Sequence, residues 1–113
     1  MTKRRSDSSD RQKADPNFAP LLAIGKSLAQ AWRPTAAIPV NQANLRVVRF
    51  EGHYGGFHAH EVDECYVVLE GDIVVELEGE GSAVLQMGDA YVVRAGKVHR
   101  PFAMPRATVL LIT

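Results

Sequence analysis

From Ala36 to the last residue, short apolar runs alternate with glycine-containing turns, and that rhythm limits the fold more than any other feature of the chain. Leu45 to Phe50, Phe57 to His60, Cys65 to Leu69, Ile73 to Leu77, Ala83 to Leu85, Tyr91 to Val93 and Thr108 to Ile112 are the runs. Gly71-Asp72, Gly79-Glu80-Gly81, Gly88-Asp89 and Gly96 mark turns among them. Regularly spaced short strands with glycine at the corners predict an all-β antiparallel sandwich or barrel. Cys65 to Leu69 is apolar on both strand faces. In so small a protein the outer face of such a strand is expected to pack against a second subunit, which predicts a homodimer.

Ahead of the β region, residues 20 to 31 read as a short helix. Pro20 suits a first helical position, and Leu21, Ile24, Leu28 and Ala31 recur at helical spacing. Gly25 weakens the pattern, and Arg33-Pro34 stops it. Residues 1 to 17 are polar and charged and read as a flexible solvated tail. Residues 18 to 113 are expected to form one domain, helix included.

The 113 residues carry thirteen basic and thirteen acidic side chains, a formal net charge of zero. That balance argues against a nucleic-acid surface, which needs clustered positive charge. No apolar run approaches the roughly 20 residues of a membrane helix. One cysteine, Cys65, forms no internal disulfide, and the chain reads as a reduced cytoplasmic protein. Arg4-Arg5 is not followed by the apolar segment that an export signal needs.

Three of the four histidines fall into one pattern with a carboxylate: His58-Ala-His60, then Glu64, then His99 on a later run. If His58 and His60 lie on a strand, they share a face. Glu64 and His99 can turn toward the same space, because Gly52, Gly71, Gly88 and Gly96 bracket the two clusters and permit tight corners. Imidazole and carboxylate suit borderline divalent metals: Fe, Mn, Ni, Cu or Zn. A hydrogen-bonded polar core without metal is the plainer alternative.

Other residues divide by parity and position. Tyr66 faces inward if Glu64 does, and is the candidate catalytic side chain; Cys65 then faces away from the site. Tyr66, Tyr91, Phe57 and Phe102 are expected in the core or walling a cavity. Arg46 and Arg49 have opposite parity, so one of them can point inward toward an anionic substrate. Glu61 and Asp63 are expected at the rim, or accepting the free N–H of a ligating imidazole. His53 is expected on a surface loop. Met87 and Met104 read as gap-filling core residues.

With these residues in view, the chain resembles the cupin superfamily. Gly52, His58, His60, Glu64 and Gly71 match every fixed position of its first motif, G-x5-H-x-H-x3,4-E-x6-G. Gly88, Gly96 and His99 match its second, G-x5-P-x-G-x2-H-x3-N, which departs here at Arg94 and Ala103. Arg94 is expected at the barrel rim. The similarity extends over residues 32 to 113 to small bacterial cupins often labelled mannose-6-phosphate isomerase-like. The resemblance implies a jelly-roll (double-stranded β-helix) barrel, a homodimer, and one divalent transition metal on His58, His60, Glu64 and His99. It also implies coordination positions left over for water, O2 or a substrate. A mixed His and Glu ligand set with spare positions reads as catalytic rather than structural.

Two functions follow as expectations. The first is a metal-dependent enzyme of oxygenase, isomerase or decarboxylase type acting on a small polar or anionic metabolite. The second is a non-catalytic module that binds a sugar or an acid beside its metal. Neither involves nucleic acid or a membrane.

Overall fold

The computed structural model describes residues 15–113. The expected tail therefore lies largely outside the described residues, Arg4-Arg5 included. Among these residues one helix, α1 (Leu21–Ser27), precedes seven strands: β1 (Thr35–Val40), β2 (Ala43–His53), β3 (Glu64–Glu70), β4 (Ile73–Leu77), β5 (Gly81–Leu85), β6 (Ala90–Val93) and β7 (His99–Ile112).

Every pairing between strands is antiparallel. The main path runs β1-β2-β7-β3-β6, with β4 and β5 attached through β7. The length of β7 makes this possible. Its Thr108–Ile112 end pairs with both β2 and β3, while His99 to Phe102 pair with β4. A register shift at Glu51/Gly52 accompanies the bend, where Gly52 adopts a φ of 59°. The sheet thus folds over itself around one core.

That core follows the period of two. Val48 and Phe50 of β2, Tyr66 and Val68 of β3, Ile73 and Val75 of β4, and Val109 and Leu111 of β7 are buried together. Each such side chain contributes about 1.5–3 kcal/mol by leaving water. Residues of the other parity make an outer face. Leu45, Ile112, Cys65 and Val92 stand in one register row, with Leu110 and Val67 side by side in the next. None of these six is fully buried.

The helix is shorter than its spacing predicts. It ends at Ser27 because Leu28 turns extended (ψ 130°) and its carbonyl accepts a hydrogen bond from Arg49 Nη1 at 2.6 Å. Pro20 is the N-cap rather than the first helical residue. Gly25 is required for docking, since a Cβ there would lie 2.4 Å from Thr108 Cγ2.

Three further expectations are corrected. Residues 57 to 60 form no strand; His58 alone makes an isolated bridge, with His99. The last strand begins at His99 rather than Thr108. Met87 and Met104 are 69% and 73% exposed, so neither fills a core gap.

Candidate metal centre

The backbone sets the histidines before their side chains meet. His58 and His99 exchange two hydrogen bonds, His58 N–H to His99 O at 2.9 Å and His99 N–H to His58 O at 2.8 Å. Gly96 N–H donates to the His60 carbonyl at 2.8 Å. These contacts, rather than strand parity, bring His58 and His60 to the first residue of β7. Glu64 arrives as the first residue of β3.

The ligand nitrogens of His58, His60 and His99 all lie within 4.8 Å of one another. Glu64 Oε1 is 3.7 Å from His60 Nε2 and 3.7 Å from His99 Nε2. Of the four residues expected from the sequence, the structure brings the three histidines together and sets Glu64 against two of them, His60 and His99. His99 is fully buried, Glu64 and His58 are half-buried, and His60 is exposed.

The hydrogen bonds also select tautomers. His99 Nδ1 donates to the Lys97 carbonyl at 2.8 Å, and His58 Nδ1 to the Gly56 carbonyl at 3.2 Å. A carbonyl only accepts, so each Nδ1 carries the proton and each Nε2 keeps its lone pair. Two imidazoles are thus held in ligating form, and a set of three nitrogens and one carboxylate fits a first-row divalent ion. Backbone carbonyls do this orienting. Asp63, expected as one candidate for it, instead accepts from Ala95 N–H at 2.8 Å and Arg94 Nη1 at 3.1 Å. Those two bonds hold the Asp63 carboxyl below its ordinary range and occupy the Arg94 charge.

Burial opposes ionisation of Glu64, but the hydrogen-bonding environment of His99 and Tyr66 outweighs it and holds the carboxyl below its usual range. Burial likewise opposes charge on His99, and the Glu64 carboxylate and the Lys97 carbonyl outweigh it, raising its affinity for a proton. A proton on His99 Nε2 and a metal ion there exclude one another. Metal affinity is therefore expected to rise with pH through and above the ordinary imidazole range and to fall in acid. Titrating Zn(II) binding by calorimetry at several pH values checks this; a pH-independent affinity would contradict it.

Tyr66 is buried, with its hydroxyl 3.3 Å from His99 Nε2. Burial and the Glu64 carboxylate raise its pKa far above the phenol range, so it is a donor and not a base. Cys65 lies on the outer face, and burial raises its thiol pKa.

Beside the histidines lies a cavity of about 170 Å³, walled by Trp32, Phe50, Tyr54, Tyr66, Val48 and Leu111. Of the four aromatic residues expected to wall it or fill the core, Tyr66 alone does the former. Phe102 stacks on His53 at 4.4 Å, Phe57 lies under the Arg100 guanidinium at 4.5 Å, and Tyr91 packs against the core. Trp32 and Tyr54 sit outside regular strands, where periodicity carries no signal. Phe50 shares the parity of Val48 and was legible as inward-facing. His53 ends β2, exposed and outside the cluster, rather than lying on a loop. Arg49 points outward to Leu28 and Glu51. Arg46 shares a register row with Leu111 on the inner face, and its Nε is buried without a partner, but it does not line the cavity.

The profile of the cupin domain family matches residues 47–113, more than half of the chain. This chain belongs to the cupin family. The uncharacterised protein YdbB of Bacillus subtilis is 29% identical to this cupin over 92 residues, 81% of each chain. A cupin-2 domain protein from Shewanella frigidimarina is 27% identical, with a TM-score of 0.73 over 78% of this chain and 85% of its own. Protein NMB1881 from Neisseria meningitidis is 26% identical, with a TM-score of 0.76 over 84% of this cupin and 96% of its own chain. Hydroquinone 1,2-dioxygenase from a Sphingomonas species superposes with a TM-score of 0.76 on 84% of this cupin and 31% of its own length, at 17% identity, a likeness of fold alone. The described residues therefore have the architecture of a small jelly-roll cupin barrel with one short helix. Among the described residues, no helix is long and apolar enough to cross a membrane.

Proposed function

We propose that His58, His60, Glu64 and His99 hold one divalent first-row ion, and that this cupin is a metal-dependent enzyme acting on a small molecule in the adjoining cavity. The observation that carries the reading is the convergence of three imidazoles within 4.8 Å, two of them held by backbone carbonyls with Nε2 free. The ion would supply Lewis acidity and open positions for an oxygen ligand. The chain's own residues do the rest. The Tyr66 hydroxyl, between His99 Nε2 and the Glu64 carboxylate, is placed to donate to an oxygen of the bound molecule. The apolar walls Val48, Leu111 and Phe50 keep water away from it. The reaction is of oxygenase, isomerase or decarboxylase type.

One observation favours the second reading, a binding module. Apart from the proposed ligands, the ionisable side chains in the cavity lining are tyrosines, so no free general base stands there. Assays of Fe(II)-loaded protein with phenols, organic acids and sugars in air separate the two. Conversion of one of them, lost in His60→Ala, supports the enzyme; binding of a compound recovered unchanged supports the module. Tyr66→Phe is expected to leave metal stoichiometry unchanged and to lower turnover about tenfold or more, the loss of one hydrogen bond to a charged oxygen. An unchanged rate would remove Tyr66 from the chemistry.

We further propose that the protein is a cytoplasmic homodimer, with residues 18 to 113 as its single domain. The outer rows of Leu45, Ile112, Cys65, Val67 and Leu110 support the interface, since they form one apolar sheet face left partly open. Sedimentation is expected to give twice the chain mass, and Val67→Asp the monomer mass with unchanged circular dichroism. A monomeric wild type would exclude this dimer.

A further inference from the structure

We infer that the cavity selects a flat, uncharged aromatic ring bearing oxygen substituents, a phenol, and that Trp32 is the residue that recognises it. The inference builds on the metal reading only in that the proposed ion anchors the ring's oxygen.

An aromatic belt runs from one histidine around the cavity to another. Tyr54 stands edge-on to His58 at 5.9 Å, Trp32 lies 5.1 Å from Tyr54 and stacks on Phe50 at 4.3 Å. Phe50 meets Tyr66 edge-on at 5.8 Å, and Tyr66 reaches His99. Trp32 is held there against its backbone preference. Its φ is 66°, a region that bulky L residues avoid, and two hydrogen bonds to β2 fix it. Its N–H donates to the Arg49 carbonyl at 2.8 Å and its Nε1–H to the Glu51 carbonyl at 2.9 Å. Trp32 packs on the core and also walls the cavity, and backbone strain at such a half-buried residue is of the kind held at ligand-binding sites.

Size and polarity narrow the ligand further. The cavity of about 170 Å³ is close to the roughly 150 Å³ that accommodates benzene in an apolar pocket. No Lys or Arg lines it, so a phosphate or a free carboxylate away from the ion would have no cation to meet. A hexose would bring several hydroxyls against Val48, Leu111, Pro34 and Pro101, which offer no hydrogen bonds from their side chains. An aromatic ring needs only ring contacts, and its oxygens would face the histidine end. This departs from the polar or anionic metabolite that the sequence suggests, and a sugar phosphate fits the lining poorly.

Trp32 is the chain's one tryptophan, so its emission reports directly on a ring that reaches the belt. The test titrates catechol and, separately, mannose 6-phosphate into Zn(II)-loaded and metal-free protein, by calorimetry and by Trp32 fluorescence excited at the red edge of its absorption. Catechol is expected to quench Trp32 saturably and to bind at least about tenfold more tightly than mannose 6-phosphate. Trp32→Gly, which suits the positive φ, is expected to weaken catechol binding about tenfold with circular dichroism unchanged, whereas Trp32→Phe retains it. Mannose 6-phosphate binding as tightly as catechol, absence of saturable quenching, or an unchanged affinity in Trp32→Gly would each overturn the inference. If Zn(II) binds and catechol does not, the inference fails while the metal reading stands. If catechol binds the metal-free and loaded forms equally, the aromatic site stands and the anchoring ion does not.

Discussion

His60→Ala is expected to leave the barrel folded and to lower affinity for divalent ions on the order of 100-fold or more, beyond the loss seen when only a ligand's supporting partner is removed. His60 is exposed, and its backbone contact, Gly96 N–H to its carbonyl, survives the substitution. Its side chain contributes little besides its place near Glu64 and the other rings. His99→Ala would be a poorer choice, because His99 is fully buried and bonded to both Lys97 and Tyr66. Competition against a chromophoric chelator measures the affinity, and circular dichroism the fold. An affinity equal to that of the wild type would remove His60 from the ligand set.

Gly71→Ala is expected to destabilise the fold rather than the site. Gly71 joins β3 to β4 at a φ of 84°, where any Cβ is strained. A Cβ there would also lie 2.6 Å from the Arg106 carbonyl oxygen and 3.0 Å from Ala107 Cα. Both are backbone atoms of β7, a strand already paired with β2 and β3, so neither can yield without disturbing the sheet. Backbone strain and overpacking together are expected to cost about 3 kcal/mol or more. For a domain of this size the thermal midpoint should fall by at least about 12 °C. A melt monitored by circular dichroism checks this, and an unchanged midpoint would mean that the β3–β4 turn is looser than its contacts indicate.

Gly71 and His60 also mark what was legible in the chain. Gly71 was recognisable from its place in the motif and from the Gly-Asp turn pair, and Ile73 to Leu77 matches β4 at both ends. The four site residues were legible because each is of a rare, chemically distinct type at fixed spacing. How they meet was not. Residues 57 to 60 look like a strand, yet they are joined to β7 by a single bridge, and no local pattern encodes a contact made 41 residues away by His99. Pro101 and Pro105 obscure the start of β7, since proline gives no N–H to a ladder, although Pro101 pairs with Val75. The helix ended early through a tertiary contact, Arg49 capturing the Leu28 carbonyl, that helical spacing cannot report. Trp32 and Tyr54 stand on irregular segments, so the aromatic face of the site became visible only with the fold.

Four side chains, on β3, on β7 and on the segment before β3, are proposed to form one metal site. Elemental analysis of the purified protein tests it most directly, as isolated and again after chelation and reconstitution with Fe(II), Mn(II), Ni(II) or Zn(II). About one first-row ion per chain is expected in the wild type, and loss of that ion in His60→Ala. A wild-type protein that holds no metal as isolated and takes up none on reconstitution would contradict it.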